Sequence, residues 1–155
     1  MGLNLKNKKV FISGSSRGIG LGITKKFIEE GAEVVINSRN EDELRDVSSV
    51  LGGCKFVSGD VTKENESKRI IIEATDLMKG LDIVVCNVGS GASVSPGKEN
   101  YTEWRRVFDI NLFSSTNLVE ASLEFLEESK GSIICISSIC GNETIPGAPI
   151  TYSVA

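Results

Sequence analysis

Short apolar runs alternate with longer segments of helical periodicity, and this alternation constrains the fold more than any other feature. The runs are rich in valine and isoleucine and largely apolar throughout, which is typical of strands covered on both faces. They lie at Val10–Ile12, Val34–Ile36, Lys55–Val57, Ile83–Val85 and Ile133–Ile136. Strands and helices that alternate across short connections form parallel sheets with right-handed crossovers. The sequence therefore predicts an α/β fold built on a parallel sheet, with residues 1–155 as a single domain.

Helical spacing in the intervening segments predicts the covering helices. Ile19, Ile23 and Phe27 share one helical stripe, and Gly31 then ends the first helix. Gly80 ends the third helix in the same way. The remaining predicted helices are Glu41–Leu51, Lys63–Met78 and one long helix without proline, Thr102–Glu128.

Charge and cysteine content exclude several classes of partner. The net charge is −4, which argues against nucleic acid or an anionic membrane as the main partner. No apolar run approaches the roughly 20 residues of a membrane-spanning helix. The four cysteines have no CxxC spacing and the chain has no histidine, so we expect neither a metal site nor disulfides. We expect a cytoplasmic location, where free thiols persist.

The segment "VFISGSSRGIGLGI" joins the first strand to the first helix. Its glycines Gly14, Gly18 and Gly20 have the spacing G-x-x-x-G-x-G. Residues without side chains let the backbone approach a pyrophosphate, and the helix N-terminus offers unpaired N–H groups and a positive dipole end. Ser15 and Ser16 add hydroxyl donors. The loop predicts dinucleotide binding, with a glycine-rich turn that binds nothing as the alternative.

Basic residues favour NADP as the dinucleotide. The second strand ends in Ser38 and Arg39, where an NAD-binding fold usually places a carboxylate for the adenosine ribose. A guanidinium binds a 2′-phosphate, and Arg17 in the glycine loop could reach the same group. Glu41 and Asp42 follow closely and keep NAD as the alternative cofactor.

Ordered motifs along the whole chain resemble the classical short-chain dehydrogenase/reductase family, and more loosely its 3-oxoacyl-carrier-protein reductase-like members. "SGSSRGIG" is similar to the family's TGxxxGxG. "GDVT", "CNVG" and "DINLFS" resemble the Asp-containing loop after the third strand, the NNAG after the fourth, and the NxxS-type segment. "ISSICG" followed by "TYSVA" resembles the catalytic serine and the tyrosine of YxxxK. "CNVG" departs from NNAG at Cys86 and Val88.

The resemblance implies a Rossmann-type doubly wound sheet of strand order 3-2-1-4-5 in three α/β/α layers. It also implies NADP(H)-dependent hydride transfer between the nicotinamide and a small-molecule carbonyl or alcohol. A homo-oligomer is expected, as is common in the family. The residues expected to contact the cofactor are Gly14, Ser16, Arg17, Gly18, Ile19, Gly20, Arg39, Asp60, Val61, Asn87 and Gly89.

The same resemblance assigns the catalytic residues. Tyr152 would be the acid/base and Ser138 the hydrogen-bond donor to the substrate oxygen, with Ser137 as an alternative. Asn111 would hold a helix kink and a water in the proton relay. The family motif places a lysine four positions after the tyrosine, whereas the sequence here ends at Ala155. We therefore expect a chain truncated before that lysine, with little or no turnover and with the fifth strand left as a bare, self-associating edge.

Two other classes of function remain as alternatives. A non-catalytic NAD(P)-binding module, acting as a sensor or a partner-binding subunit, would keep the glycine loop but would have little need of Ser138 and Tyr152 together. An extended-type epimerase would more often carry a GxxGxxG loop, which this sequence lacks.

Overall fold

All five predicted strands form one parallel sheet in the computed structural model, which describes residues 3–155. The sheet has the order β3-β2-β1-β4-β5, which confirms the predicted topology. Observed strand bounds lie within a few residues of the predicted ones. They are β1 Lys9–Ile12, β2 Glu33–Ser38, β3 Lys55–Ser58, β4 Ile83–Cys86 and β5 Ser132–Cys135.

The order of the strands places a crevice above the carboxyl ends of β1 and β4. β1 pairs with β2 on one side and with β4 on the other, all in parallel register. The chain therefore leaves β1 toward one face of the sheet, and after β3 it crosses to the other side of β1. Loops diverge at such a switch point, and ligands of open α/β sheets bind there.

Apolar residues on both faces of the sheet form two cores. One face of β1 to β4 contributes Phe11, Val35 and Val84, which pack with Ile70 and Leu118 from the covering helices. The other face contributes Val10, Ile12 and Ile36, which pack with Leu44, Ile23 and Phe27. The sheet is covered by helices on both sides, as the predicted three layers require.

Among residues 3–155, five helices lie in the predicted segments, whereas a short sixth helix near the C-terminus was not predicted. The helices are α1 Gly18–Glu29, α2 Glu41–Val50, α3 Glu64–Met78, α4 Tyr101–Phe108, α5 Ser114–Ser129 and α6 Ile150–Val154. Ile23 and Phe27 pack on the core as predicted. Ile19 lies on the same stripe, but the burial that the stripe indicates is wrong for it, because Ile19 is 68% exposed and faces the crevice. No helix among residues 3–155 is long and apolar enough to cross a membrane.

The predicted long helix Thr102–Glu128 is interrupted by one π-helical turn. This turn covers Asp109–Phe113 and joins α4 to α5 without leaving helical backbone angles. Its cause is the side chain of Asn111, whose Nδ2 donates to the carbonyl of Val107 at 3.0 Å. That carbonyl is the acceptor that the Asn111 backbone N–H would use in a regular α-helix, so the ladder shifts by one residue.

β5 is the exposed edge of the sheet. It pairs with β4 on one side only, and all four of its residues are exposed. Ile133 and Ile134 are 36% and 40% exposed on opposite faces. The apolar composition of β5 predicts that helices cover both of its faces, and among residues 3–155 they do not. The predicted exposed edge is present.

Candidate active site

A cavity of about 850 Å³ lies above the carboxyl ends of β1, β2, β3 and β4. The first residues of the loop after each of these strands form part of the cavity wall. The lining residues include Gly14, Ser16, Arg17, Ile19, Arg39, Glu41, Glu43, Asp60, Val61, Asn87, Gly89 and Ser90.

The glycine loop packs tightly against the start of α1. Gly14 has a φ of +60°, in the left-handed region that glycine adopts without strain. A Cβ on Gly20 would lie 2.4 Å from the Gly14 carbonyl oxygen and 2.6 Å from Asn87 Nδ2. The spacing of the glycines therefore has a steric cause, because Gly20 lets the helix begin directly against the loop.

Hydrogen bonds from three strands fix the glycine loop. The Ser15 backbone N–H donates to the Asn37 carbonyl at 2.9 Å, and the Ser15 hydroxyl donates to the Ile12 carbonyl at 2.7 Å. Asn87 Nδ2 donates to the carbonyls of Ser13 and Gly14 at 3.0 and 3.1 Å. Both serines are buried. Ser15 therefore serves the loop rather than a ligand, and the Asn87 amide donors are used in the same way.

The first turn of α1 and two arginines supply positive potential to the cavity. No side chain caps the N-terminus of α1, so its first backbone N–H groups are available to a ligand. Arg17 and Arg39 line the cavity, and within residues 3–155 neither takes part in an ion pair. Unpaired guanidinium groups beside a helix N-terminus form an anion-binding environment.

The same wall also carries carboxylates. Glu41 and Glu43 come from the first turn of α2, and Asp60 follows β3. Asp60 Oδ1 accepts from both the backbone N–H and the hydroxyl of Thr62, at 3.0 and 2.8 Å. Val61 beside it is 2% exposed and forms part of the core as well as of the cavity wall.

Asn111 ties the π-helical turn to the loop after β4. Its Oδ1 accepts from the Ser90 backbone N–H at 2.7 Å, and its Nδ2 donates to the Ser90 carbonyl at 3.2 Å. A Cβ on Gly89 would lie 3.1 Å from the same Oδ1. Asn111 therefore fixes the rim of the cavity from outside, without lining it.

Tyr152 and Ser138 lie beyond this rim. Tyr152 is half-buried on α6, and a Cβ on Gly91 would lie 3.5 Å from the ring carbon Cε1 of Tyr152. Ser138 Oγ accepts from the Cys140 backbone N–H at 3.2 Å, which leaves the hydroxyl proton free to donate. Ser137 is more exposed than Ser138.

Glu99 holds the N-terminus of the helix that carries Tyr152. Glu99 Oε1 accepts from the backbone N–H of Ile150, the first residue of α6, at 2.9 Å. A hydrogen bond from the backbone of Glu99 itself, and then that from Ile150, lower the pKa of the Glu99 carboxyl.

A second chain of hydrogen bonds runs from α4 to α6. Ser93 Oγ donates to Glu103 Oε1 at 2.7 Å and lies 3.0 Å from the Thr151 hydroxyl. Arg106 donates to both oxygens of Glu103, at 2.8 and 2.6 Å. The hydrogen bonds from Arg106, and then from Ser93, lower the pKa of the Glu103 carboxyl to about 2. Thr151, next to Tyr152, is thus anchored to an ionised, ion-paired carboxylate.

The structure brings most of the expected cofactor residues to one cavity but separates the three expected catalytic residues from its wall. All of the former line the cavity except Gly18 and Gly20, which shape the loop. Sequence reasoning missed Glu43, Ser90, Ser93, Glu99 and Glu103. Asn40 followed by Glu43 is a helix-start signal that could have drawn attention to Glu43. Among residues 3–155, no group of three or more cysteine, aspartate or glutamate side chains is placed to hold a metal ion.

Comparison with known proteins agrees with this geometry. A family model described as short chain dehydrogenase matches residues 8–155. The chain therefore belongs to the short-chain dehydrogenase family, whose members normally bind NAD or NADP.

Relatives in that family are oxidoreductases by name. The chain is 36% identical to L-fucose dehydrogenase from Rattus norvegicus over 86% of its own length and 50% of the relative's. It is 35% identical to an uncharacterized oxidoreductase from Staphylococcus aureus, over 94% of its own length and 64% of the relative's. A hydroxysteroid 11-beta-dehydrogenase 1-like protein from Xenopus tropicalis is 34% identical over 92% and 51%. The chain thus spans between about half and two thirds of the length of these relatives.

Proposed function

We propose that this chain is the nucleotide-binding domain of an NADP(H)-dependent oxidoreductase that interconverts an alcohol and a carbonyl. The observation that carries the proposal is the cavity at the switch point, which is lined by the glycine loop, the uncapped N-terminus of α1 and two arginines that have no ion-pair partner among residues 3–155. This donor set suits a dinucleotide, because it offers backbone N–H groups to a pyrophosphate and guanidinium groups to a further phosphate.

Separate parts of the cavity wall would hold the parts of the cofactor. Gly14, Gly18 and the first turn of α1 would hold the pyrophosphate. Ser16, Arg17 and Arg39 would hold the adenosine 2′-phosphate, and Asp60 with Val61 would border the adenine. Asn87 and Gly89 would border the nicotinamide-side ribose, next to the rim that Asn111 fixes.

Hydride exchange at the nicotinamide is the chemistry that the bound cofactor supplies. The Tyr152 hydroxyl would give a proton to the substrate oxygen, or take one from it. The Ser138 hydroxyl would donate a hydrogen bond to the same oxygen, since its oxygen accepts from the Cys140 N–H and its proton stays free to donate. Asn111 would act in the proton relay from its place in the π-helical turn. The related dehydrogenases named for a sugar and for a hydroxysteroid support an alcohol or carbonyl substrate without selecting one.

We also propose that the chain forms homo-oligomers. The exposed apolar side chains of β5 and its unpaired edge support this, because such an edge can pair with another strand.

Calorimetric titration of the chain with NADPH and with NADH tests the cofactor proposal. We expect Arg39→Ala to weaken NADPH binding by about tenfold to a hundredfold, because a charge-assisted contact to the 2′-phosphate is lost. NADH has no such phosphate, so its binding should change little. Arg105→Ala is the matched control, since Arg105 is an exposed arginine on α4 outside the cavity.

Three outcomes would count against the proposal. Equal loss of NADPH and NADH binding in Arg39→Ala would remove the assignment of the 2′-phosphate to Arg39. NADH binding more tightly than NADPH would make NAD the cofactor. Binding of neither nucleotide by the folded chain would contradict the nucleotide site itself.

A further inference from the structure

We propose that Glu43 is a specificity-determining residue. Its carboxylate repels the 2′-phosphate of NADP and so reduces the preference of the site for NADP over NAD. This inference rests on the proposed nucleotide site. Glu43 then acts against Arg17 and Arg39, and its replacement by a neutral residue should increase the preference for NADP.

Glu43 reaches the glycine loop across the cavity wall. The Ser16 hydroxyl donates to Glu43 Oε2 at 3.1 Å, and both residues line the cavity. The contact joins the loop after β1 to the first turn of α2, in the wall that Arg17 and Arg39 also line. The Ser16 hydroxyl therefore donates its proton to a carboxylate and is not free to donate it to a phosphate.

Of the three carboxylates in this wall, Glu43 accepts the fewest hydrogen bonds from side chains and neighbouring residues within residues 3–155. Glu41 forms an ion pair with Arg45 at 2.7 Å. Asp60 is held by two donors from Thr62. Within residues 3–155, Glu43 has no ion-pair partner, and the Ser16 hydroxyl is the side-chain group that donates to it.

Two backbone donors at the N-terminus of α2 are not available to an incoming phosphate. Asn40 Oδ1 accepts from the backbone N–H groups of Asp42 and Glu43, at 3.0 and 3.3 Å. These two donors are therefore occupied, and the side-chain donors proposed for the phosphate are those of Arg17, Arg39 and Ser16. A 2′-phosphate must then displace Glu43 from Ser16 and also approach its negative charge, whereas a ribose hydroxyl meets neither cost.

The test is a calorimetric comparison of Glu43→Gln with the unchanged chain. We expect Glu43→Gln to tighten NADPH binding by about tenfold, with little change for NADH. Adenosine 2′,5′-bisphosphate and adenosine 5′-monophosphate serve as a second pair of probes, because they report the adenosine half of the site alone. Asp42→Asn is the matched control, since it removes the same charge from the same helical turn but outside the cavity wall.

A second variant tests whether the hydrogen bond between Ser16 and Glu43 contributes to the effect of Glu43. If Glu43 acts partly by occupying that hydroxyl, the gain from Glu43→Gln should be smaller when Ser16 is replaced by alanine. Glu43 is exposed, so its replacement by glutamine should leave the fold intact, which circular dichroism would verify.

The outcomes separate this inference from the nucleotide site itself. Equal effects of Glu43→Gln on the phosphorylated and unphosphorylated probes, or an equal gain from Asp42→Asn, would overturn the role of Glu43 and leave the site standing. NADPH binding that weakens in Glu43→Gln would overturn it as well. Binding of no nucleotide by any folded variant would overturn the site and this inference together.

Discussion

Two glycines in the same helix differ sharply in what surrounds them. Gly20 is buried, and a Cβ there would meet the Gly14 carbonyl oxygen at 2.4 Å. Gly22, two residues later, is exposed, and a Cβ there would meet nothing within 4 Å. The glycine that shapes the phosphate loop can therefore be tested against a neighbour of the same type in α1.

We expect Gly20→Ala to lower the free energy of unfolding by about 1–3 kcal/mol, because the loop must move to admit the methyl group. It should also weaken nucleotide binding. Gly22→Ala should instead raise the free energy of unfolding by up to about 1 kcal/mol, because alanine is the better helix former. Urea denaturation of the two variants measures both effects, and similar losses in the two would contradict the steric role of Gly20.

Single residues were predictable where their place followed from the end of a strand. Arg39 follows β2 directly and Arg17 lies in the loop after β1, and parallel strands bring their carboxyl ends together. Glu43 was not predictable in this way, because its contact with Ser16 spans 27 residues and depends on how the first turn of α2 faces the glycine loop. Periodicity gives the apolar face of a helix but not the partner of one polar side chain.

At the scale of elements, the π-helical turn between α4 and α5 could not be predicted from hydrophobic periodicity. Apolar residues continue through Asp109–Phe113 and no proline or glycine marks a break. The shift arises from one amide, that of Asn111, which takes the Val107 carbonyl and also binds Ser90 from another element. Only the resemblance to a family indicated an interruption there.

The hydrogen bonds that link α4 to α6 should make stability depend on pH in the acidic range. The Glu103 carboxyl has a folded-state pKa of about 2, below its ordinary value of 4.5. A lowered pKa stabilises the fold above the unfolded-state pKa, and that contribution disappears as the pH falls through the folded-state pKa. We therefore expect the free energy of unfolding to fall between about pH 4.5 and about pH 2.

Urea denaturation across that range measures the effect. In Glu103→Gln the decline should be shallower, because this side chain no longer titrates. Glu120→Gln, on the exposed side of α5, is the control and should keep the full decline. A Glu103→Gln profile that matches that of the unchanged chain would contradict the anchoring role of Glu103.

For the whole molecule, the order of the sheet was predictable and the exposure of its parts was not. Short connections and right-handed crossovers admit few topologies for five alternating strands, and the family resemblance selected one. The apolar composition of β5 alone indicates burial, whereas its observed position at the edge leaves Ile133, Ile134 and Ile136 exposed. Burial of a strand depends on its neighbours, which its own sequence does not contain.

The exposed strand β5 should cause self-association of the 155-residue chain. Sedimentation velocity should show the average mass rising above 16.6 kDa as the concentration increases. Ile134→Lys should reduce this rise, because a charge on an exposed edge opposes pairing with another strand. A single species of 16.6 kDa at high concentration would contradict the prediction.

The most direct test of the central claim is an NMR titration of the ¹⁵N-labelled chain with NADPH, observed at the glycine amides. The nucleotide site at the carboxyl ends of the strands predicts shifts at Gly14, Gly18, Gly20, Gly59 and Gly89. It predicts no shifts at Gly31, Gly80 and Gly131, which lie at the opposite ends of the strands. Shifts confined to that opposite group, or no shifts at saturating NADPH, would contradict the assignment of the cavity as the cofactor site.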